Sequence, residues 1–272
     1  MEDIYLSIIM PIRNIKQWET NIIKNIEVTQ SKNDRNIEFI FVYSEKMDES
    51  VKELKEKVKN KNNIYFLKDD KTGIYSAMNC GISKAKGLYL QFMGADDIYN
   101  EKGFNQVIAF IKQKNKPSII LCEAVLSTDK VKKNSEGNKL ACGRGGRIHW
   151  LLSSPRIHQA MLYKNSIIKK NNLRYQTNLK VTSDYIFTAE LLSRNNDVQI
   201  LNICFVNYFK YGFSSNYSIL SNYIEHIKGF ANSRILRNYL LLVIFLRFIL
   251  LIYKFLKYTI KFSLISIRRI KI

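Results

Sequence analysis

Apolar positions in the first 125 residues follow two alternating patterns. Short, nearly unbroken apolar runs occur at Tyr5–Met10 (YLSIIM), Ile37–Tyr43 (IEFIFVY), Asn63–Leu67, Leu88–Met93 and Ser118–Val125 (SIILCEAV), as buried strands require. Between them lie stretches of helical spacing. Ile15–Gln30 brings Ile22, Ile23 and Ile26 to one face, Glu49–Asn60 is lysine-rich and amphipathic, Ile74–Lys86 stops near Gly87, and Lys102–Lys114 follows. This βαβαβαβ rhythm predicts an α/β fold, with a mostly parallel central sheet and helices on both faces. In such sheets ligands bind beyond the carboxyl ends of the strands.

The pattern loosens afterwards. Ser127–Arg147 is polar, lysine-rich and glycine-bearing, and reads as strand edges and a loop. Leu162–Asn172 and Ser183–Ser193 predict helices, and Val198–Val206 a strand. Tyr239–Tyr253 (YLLLVIFLRFILLIY) is apolar throughout except for Arg247. As a helix it would be roughly 22 Å long, short of the ~30 Å hydrocarbon core of a bilayer. Arg247, Lys254, Lys261 and Arg268 recur every seventh residue, so a helix carries them as one basic stripe, broadened by Lys257 and Lys271. A wide apolar face with a basic edge predicts a helix lying in a membrane interface. A helix capping the core, or pairing with its copy in a homo-oligomer, is the alternative. The boundary is set between residues 1–215, a globular domain, and residues 216–272, a helical tail.

Composition sharpens the second half of this picture more than the first. At 272 residues and 46% hydrophobic, the chain has room for one large core or two small ones. Its net charge of +20 suggests an anionic partner. From Lys228 to Ile272 there are ten Lys and Arg and no acid. These cations are set among Leu, Ile and Phe, which favours an anionic membrane surface met by residues 233–272 and argues against nucleic acid. Cys80, Cys122, Cys142 and Cys204 stand far apart, with neither the spacing of a zinc site nor that of a disulfide framework. Met1–Asp3 runs straight into the first strand with two acids where a secretory leader needs basic residues, so a reducing cytoplasm is expected.

The candidate chemistry begins at Gly94-Ala95-Asp96-Asp97, directly after a strand. Two adjacent carboxylates at that edge suit Mg²⁺ or Mn²⁺, which take one or two carboxylates and complete their shell with phosphate and water. Helix capping by Asp97 is the other reading. The stretch Gly73–Tyr99, GIYSAMNCGISKAKGLYLQFMGADDIY, resembles glycosyltransferase family 2, in particular bacterial polysaccharide-type members. SIIMPIRN at Ser7–Asn14, His158-Gln159 and Ser183-Asp184-Tyr185 match further elements of that family in order, so the resemblance covers roughly residues 5–210.

The resemblance implies a GT-A fold, a nucleotide-diphospho-sugar donor, a divalent metal and an inverting reaction on an acceptor hydroxyl. By it, Pro11, Arg13, Asn14, Tyr43, Asn79 and Asp96 fall in the donor site, Asp97 on the metal and Asp184 on the general base. A capping role is the bare-sequence alternative for Asp184. Its place at a helix start would keep it ionised at neutral pH. His158 and Gln159 fall near acceptor or diphosphate, and Arg144 or Arg147 in the loop CGRGGRIHW would meet phosphate unless that loop is merely solvated. The acceptor implied is a lipid-linked glycan of the bacterial envelope, reached at the cytoplasmic face of the inner membrane. The chain departs from the family at Tyr43, where an acid usually meets the base, and at Lys71 and Ser76, each also replacing an acid. A binding scaffold without turnover and a nucleotidyltransferase are the competing functions.

Overall fold

The computed structural model describes residues 4–30, 36–69, 71, 73–113, 116–127, 151–194, 197–209 and 218–253. Arg144, Arg147 and the tail cations from Lys254 onward lie outside them. One eight-stranded sheet, ordered β3-β2-β1-β4-β7-β6-β8-β5, organises the chain. Its strands are β1 (Leu6–Ile12), β2 (Ile37–Tyr43), β3 (Ile64–Lys68), β4 (Tyr89–Phe92), β5 (Ile98–Tyr99), β6 (Ile119–Ser127), β7 (Met161–Lys164) and β8 (Val198–Phe209). The pairs β1/β2, β1/β4, β2/β3 and β6/β8 are parallel, whereas β7 and β5 run against their neighbours.

Helices α1 (Ile15–Gln30), α2 (Asp48–Lys57) and α4 (Glu101–Ile111) cover one face. On the other lie α3 (Ile74–Lys84), α5 (Asn165–Lys170) and α6 (Ser183–Arg194). Alternation decides which core each strand residue joins. Ile8, Met10, Phe39 and Phe41 pack under α1 and α2, while Ile9, Ile40 and Val42 pack under α3. Burial on both faces is why these strands read as continuous apolar runs.

One expected helix is corrected. Leu162–Asn172 opens as β7, which inserts antiparallel between β4 and β6, and only Asn165–Lys170 is helical. The run Met161–Tyr163 is too short for periodicity to separate the two states, and ladder partners on both sides select the strand.

The last described elements are α7 (Ile219–Asn232) and α8 (Leu236–Tyr253), which opens with a 3-10 turn. Phe230, Leu236 and Val243 form a small third core with Leu179, Tyr185 and Ile186. The approach of α7 to α6 is close: a Cβ at Gly229 would stand 2.5 Å from Ile186, so any larger residue would push the helices apart. Arg247, expected in an outward basic stripe, instead faces inward. It sits one turn beyond Val243 on the docked side of α8, and its Nη2 donates to the Leu152 carbonyl at 2.7 Å. The opposite side exposes Leu241, Phe245, Phe248, Ile249, Ile252 and Tyr253.

Candidate active site

Register places the ends of β1, β2 and β4 side by side. Pro11 pairs with Val42, Ile12 with Tyr43, and Ile9 with Phe92, so the segments leaving these strands share one edge. Arg13 and Asn14 are exposed there, and the Asn14 side chain caps α1 by accepting from the Gln17 amide. Tyr43 packs half-buried against the core, with Lys68 beside it in register. Lys68 in turn is held by Glu45 at 3.0 Å and Asp48 at 3.1 Å.

At the same edge, Gly94–Asp97 is clamped from α1. Asn21 donates to the Asp96 carbonyl at 3.1 Å and Asn25 to the Asp97 carbonyl at 2.9 Å, while Asn25 Oδ1 accepts from Tyr99 N–H. Neither asparagine stands out in the sequence, because polar positions inside an amphipathic helix carry no pattern of their own. Asp97 does not cap α4; Asn100 does, accepting from the Gly103 amide at 2.9 Å. A Cβ on Gly94 would meet Asp96 Oδ1 at 2.6 Å and Asp97 Oδ2 at 2.7 Å. Both carboxylates therefore border the space that the glycine leaves open. Burial pushes the Asp96 carboxyl up, the response of an acid set where a positive charge would relieve it. Among the described residues no three His, Cys, Asp or Glu gather as a complete ligand set. The pair fits an ion that draws most of its shell from water and a substrate diphosphate.

Asp184 lies in the first turn of α6. The Tyr75 hydroxyl, from the first turn of α3, lies against the start of α6, where its hydrogen-bonding influence favours the ionised form of the Asp184 carboxyl. Since α3 starts just past the end of β3, this contact brings Asp184 to the edge that carries Asp96 and Asp97. Burial raises Asp184 to about 6, against the pull of the Tyr185 amide and the Tyr75 hydroxyl. It remains mostly ionised at neutral pH. Asp184 lines a cavity of about 450 Å³ with Ser153, Thr182, Asn222, His226 and Arg247.

Residues 7–172 match the model of Glycosyl transferase family 2, more than half of the chain. The chain belongs to that family. It is 31% identical over 183 residues to the minor teichoic acid biosynthesis protein GgaB of Bacillus subtilis, covering 65% of this chain and 20% of that protein. It is 25% identical over 170 residues to a PGL/p-HBAD biosynthesis glycosyltransferase of Mycobacterium tuberculosis, covering 60% and 61%. The chain thus spans less than two thirds of these relatives' lengths. Its fold resembles S. aureus TarS 1-349 in complex with UDP, with TM-score 0.63, 18% identity and coverage of 85% and 66%. It also resembles the mannosyltransferase PcManGT of Pyrobaculum calidifontis in complex with GDP-Man and Mn²⁺, with TM-score 0.56, 10% identity and coverage of 85% and 64%. The α/β, GT-A-like architecture expected from the sequence is the one found.

Not every residue singled out by family 2 resemblance reaches the cleft. His158 is buried, stacked on Phe92, with Tyr163 Oη 3.2 Å from Nδ1 and Tyr175 Oη 2.9 Å from Nε2. Desolvation lowers it to about 3, so it is a neutral core histidine that fixes two tyrosines. The Gln159 carbonyl accepts from Gln91 at 2.7 Å. Asn79 is a clip, exchanging two hydrogen bonds with the Tyr175 backbone at 2.8 and 2.9 Å. The sequence reading missed Tyr75 although it sits in the motif itself; its distance from Asp184 in sequence hides the contact.

Proposed function

We propose that this chain transfers a sugar, with inversion, from a nucleotide-diphospho-sugar to an acceptor hydroxyl in the synthesis of a bacterial surface polysaccharide. The observation that carries the reading is the shared edge: an acid pair suited to a cation–diphosphate and a separate, partly desolvated carboxylate open to its own cavity. Asp184 takes the proton of the acceptor hydroxyl, whose oxygen attacks the anomeric carbon as the bond to the diphosphate breaks and nucleoside diphosphate leaves. Asp97, with Asp96 beside it toward the donor, would hold Mn²⁺ or Mg²⁺, which when bound neutralises charge on the leaving diphosphate. Pro11, Arg13, Asn14 and Tyr43 border the nucleotide. The TarS complexes with UDP and UDP-GlcNAc and the PcManGT complex with GDP-Man and Mn²⁺ support the donor class.

The exposed apolar side of α8, in an 18-residue helix of mean hydropathy 1.9, supports membrane association. We assign the enzyme to the cytoplasmic face of the inner membrane, acting on a lipid-linked glycan, with residues 233–272 as the contact. The departure at Tyr43 favours one competing reading, a binder without turnover.

The test is nucleoside diphosphate release from a panel of sugar nucleotides with Mn²⁺ or Mg²⁺, alongside melting temperature. Release with one donor, together with metal-strengthened stabilisation that Gly94→Ala removes, is the expected result. Stabilisation without release would make the chain a binder. Pyrophosphate release would make it a nucleotidyltransferase.

A further inference from the structure

The docked side of α8 does not end with the small core. After Leu236, Leu240 and Val243 it continues through Arg247 to Leu250 and Leu251, and these last three line the Asp184 cavity. The tail helix is therefore a wall of the candidate acceptor site as well as an apolar surface.

The wall is amphipathic in a specific way. Ile219, Leu250 and Leu251 supply its apolar part, and all three are near the exposed apolar side of α7 and α8, which includes Leu220, Ile224 and Phe248. Arg247 supplies the charge. Its guanidinium lies 5.6 Å over the Tyr185 ring and is anchored at one nitrogen to Leu152, so its plane is fixed. Its Nε is buried without a hydrogen-bond partner, and among the described residues no carboxylate pairs with it. A guanidinium held rigid, short of an anion and set in an apolar wall matches a phosphate carried on an apolar chain.

Resting on the reading of Asp184 as base, we propose that the cavity seats an amphiphilic acceptor whose phosphate is read by Arg247 and whose chain leaves along α8. Both groups share about 450 Å³, so the acceptor hydroxyl lies close to that phosphate. The enzyme then acts near the lipid end of its acceptor and not on a distant tip.

The experiment measures binding of farnesyl phosphate, farnesol and glycerol phosphate to the full chain in detergent, for wild type, Arg247→Met and Arg247→Lys. Wild type should bind farnesyl phosphate at least about tenfold more tightly than farnesol, the size of a charge-assisted hydrogen bond. Arg247→Met should erase the preference while leaving farnesol binding unchanged, and Arg247→Lys should keep part of it. Equal binding of phosphate and alcohol, or a preference that survives Arg247→Met, overturns the proposal. Glycerol phosphate binding as tightly as farnesyl phosphate overturns its amphiphilic part. Stabilisation by UDP with Mn²⁺ is followed in the same samples. Its absence in wild type counts against the transferase reading, whereas its persistence in Arg247→Met shows that the variant is folded and the donor site intact.

Discussion

The backbone leading into α6 and the cavity just beyond it each hold one carboxylate, and their surroundings differ in what they offer. Glu225, reaching from α7, accepts the amides of Lys180, Val181 and Thr182 at 2.9, 2.9 and 3.2 Å, and the Thr182 hydroxyl at 3.3 Å. Those donors hold it below its ordinary range despite burial. Asp184 stands two residues further on and is pushed the other way, to about 6, by desolvation and by the charge of Glu225 itself. The difference lies in who collects the amides. Glu225 takes the three before the helix, whereas the Asp184 carboxylate accepts the neighbouring Tyr185 amide at 2.7 Å. A satisfied carboxylate is a latch; an under-satisfied one keeps the basicity that proton transfer needs.

The most severe way to break the contrast is Asp184→Asn. Transfer should fall by about 10²–10⁴-fold, the ordinary contribution of a positioned base, with donor affinity unchanged in a thermal-shift titration. In wild type, the rate should rise with pH through about 6 as Asp184 ionises. The two acids also oppose one another in stability. Glu225 is depressed, so its contribution is present above its ordinary 4.5 and lost as pH falls through the lower folded value. Asp184 is raised, so its contribution is lost as pH climbs from 3.8 through about 6. Removing it should abolish that loss of stability between pH 4 and 6, read by denaturant melts across that window. A variant that loses donor binding instead would make Asp184 structural.

The sequence makes one half of the molecule far more legible than the other. Strands β1 to β4 and the helices between them are fixed by local apolar runs and short loops, so their order and the edge bearing Asp96 and Asp97 follow from pattern alone. The half built on β7, α6 and α7 is held by long-range devices. Asn79 ties α3 to Tyr175, His158 spaces Tyr163 and Tyr175, and Glu225 reaches back across 43 residues to Thr182. Such contacts leave no periodicity. Arg247 shows the cost of reading a helix by itself: its seven-residue spacing predicts an outward stripe, but the docking of Val243 turns it inward. Asp184 is legible only through resemblance, since an aspartate at a helix start reads first as a cap.

Glu225→Gln weakens the latch without deleting it. Loss of the charge-assisted bonds to three amides should cost about 1–3 kcal/mol and lower the melting temperature by a few degrees. The same change removes the negative charge that raises Asp184, so the acidic limb of the rate profile should move below about 6. A stability loss with an unmoved limb would mean that the latch and the base are independent.

Tyr75→Phe is the finest probe, because it removes a single oxygen from a buried ring that is stacked on Tyr175 at 5.6 Å. The ring remains, so its stacking on Tyr175 should hold. The lost hydroxyl is the group that favours the ionised Asp184 carboxyl from the α3 side. Without it the ionised form is less favoured, and the limb should shift upward, opposite to Glu225→Gln, with the plateau rate above pH 8 little changed. A role confined to packing would alter stability alone and leave the profile in place. Opposite displacements from the two variants, measured on one donor at saturation, would show that the helix start is wired to set the basicity of one carboxylate from both sides.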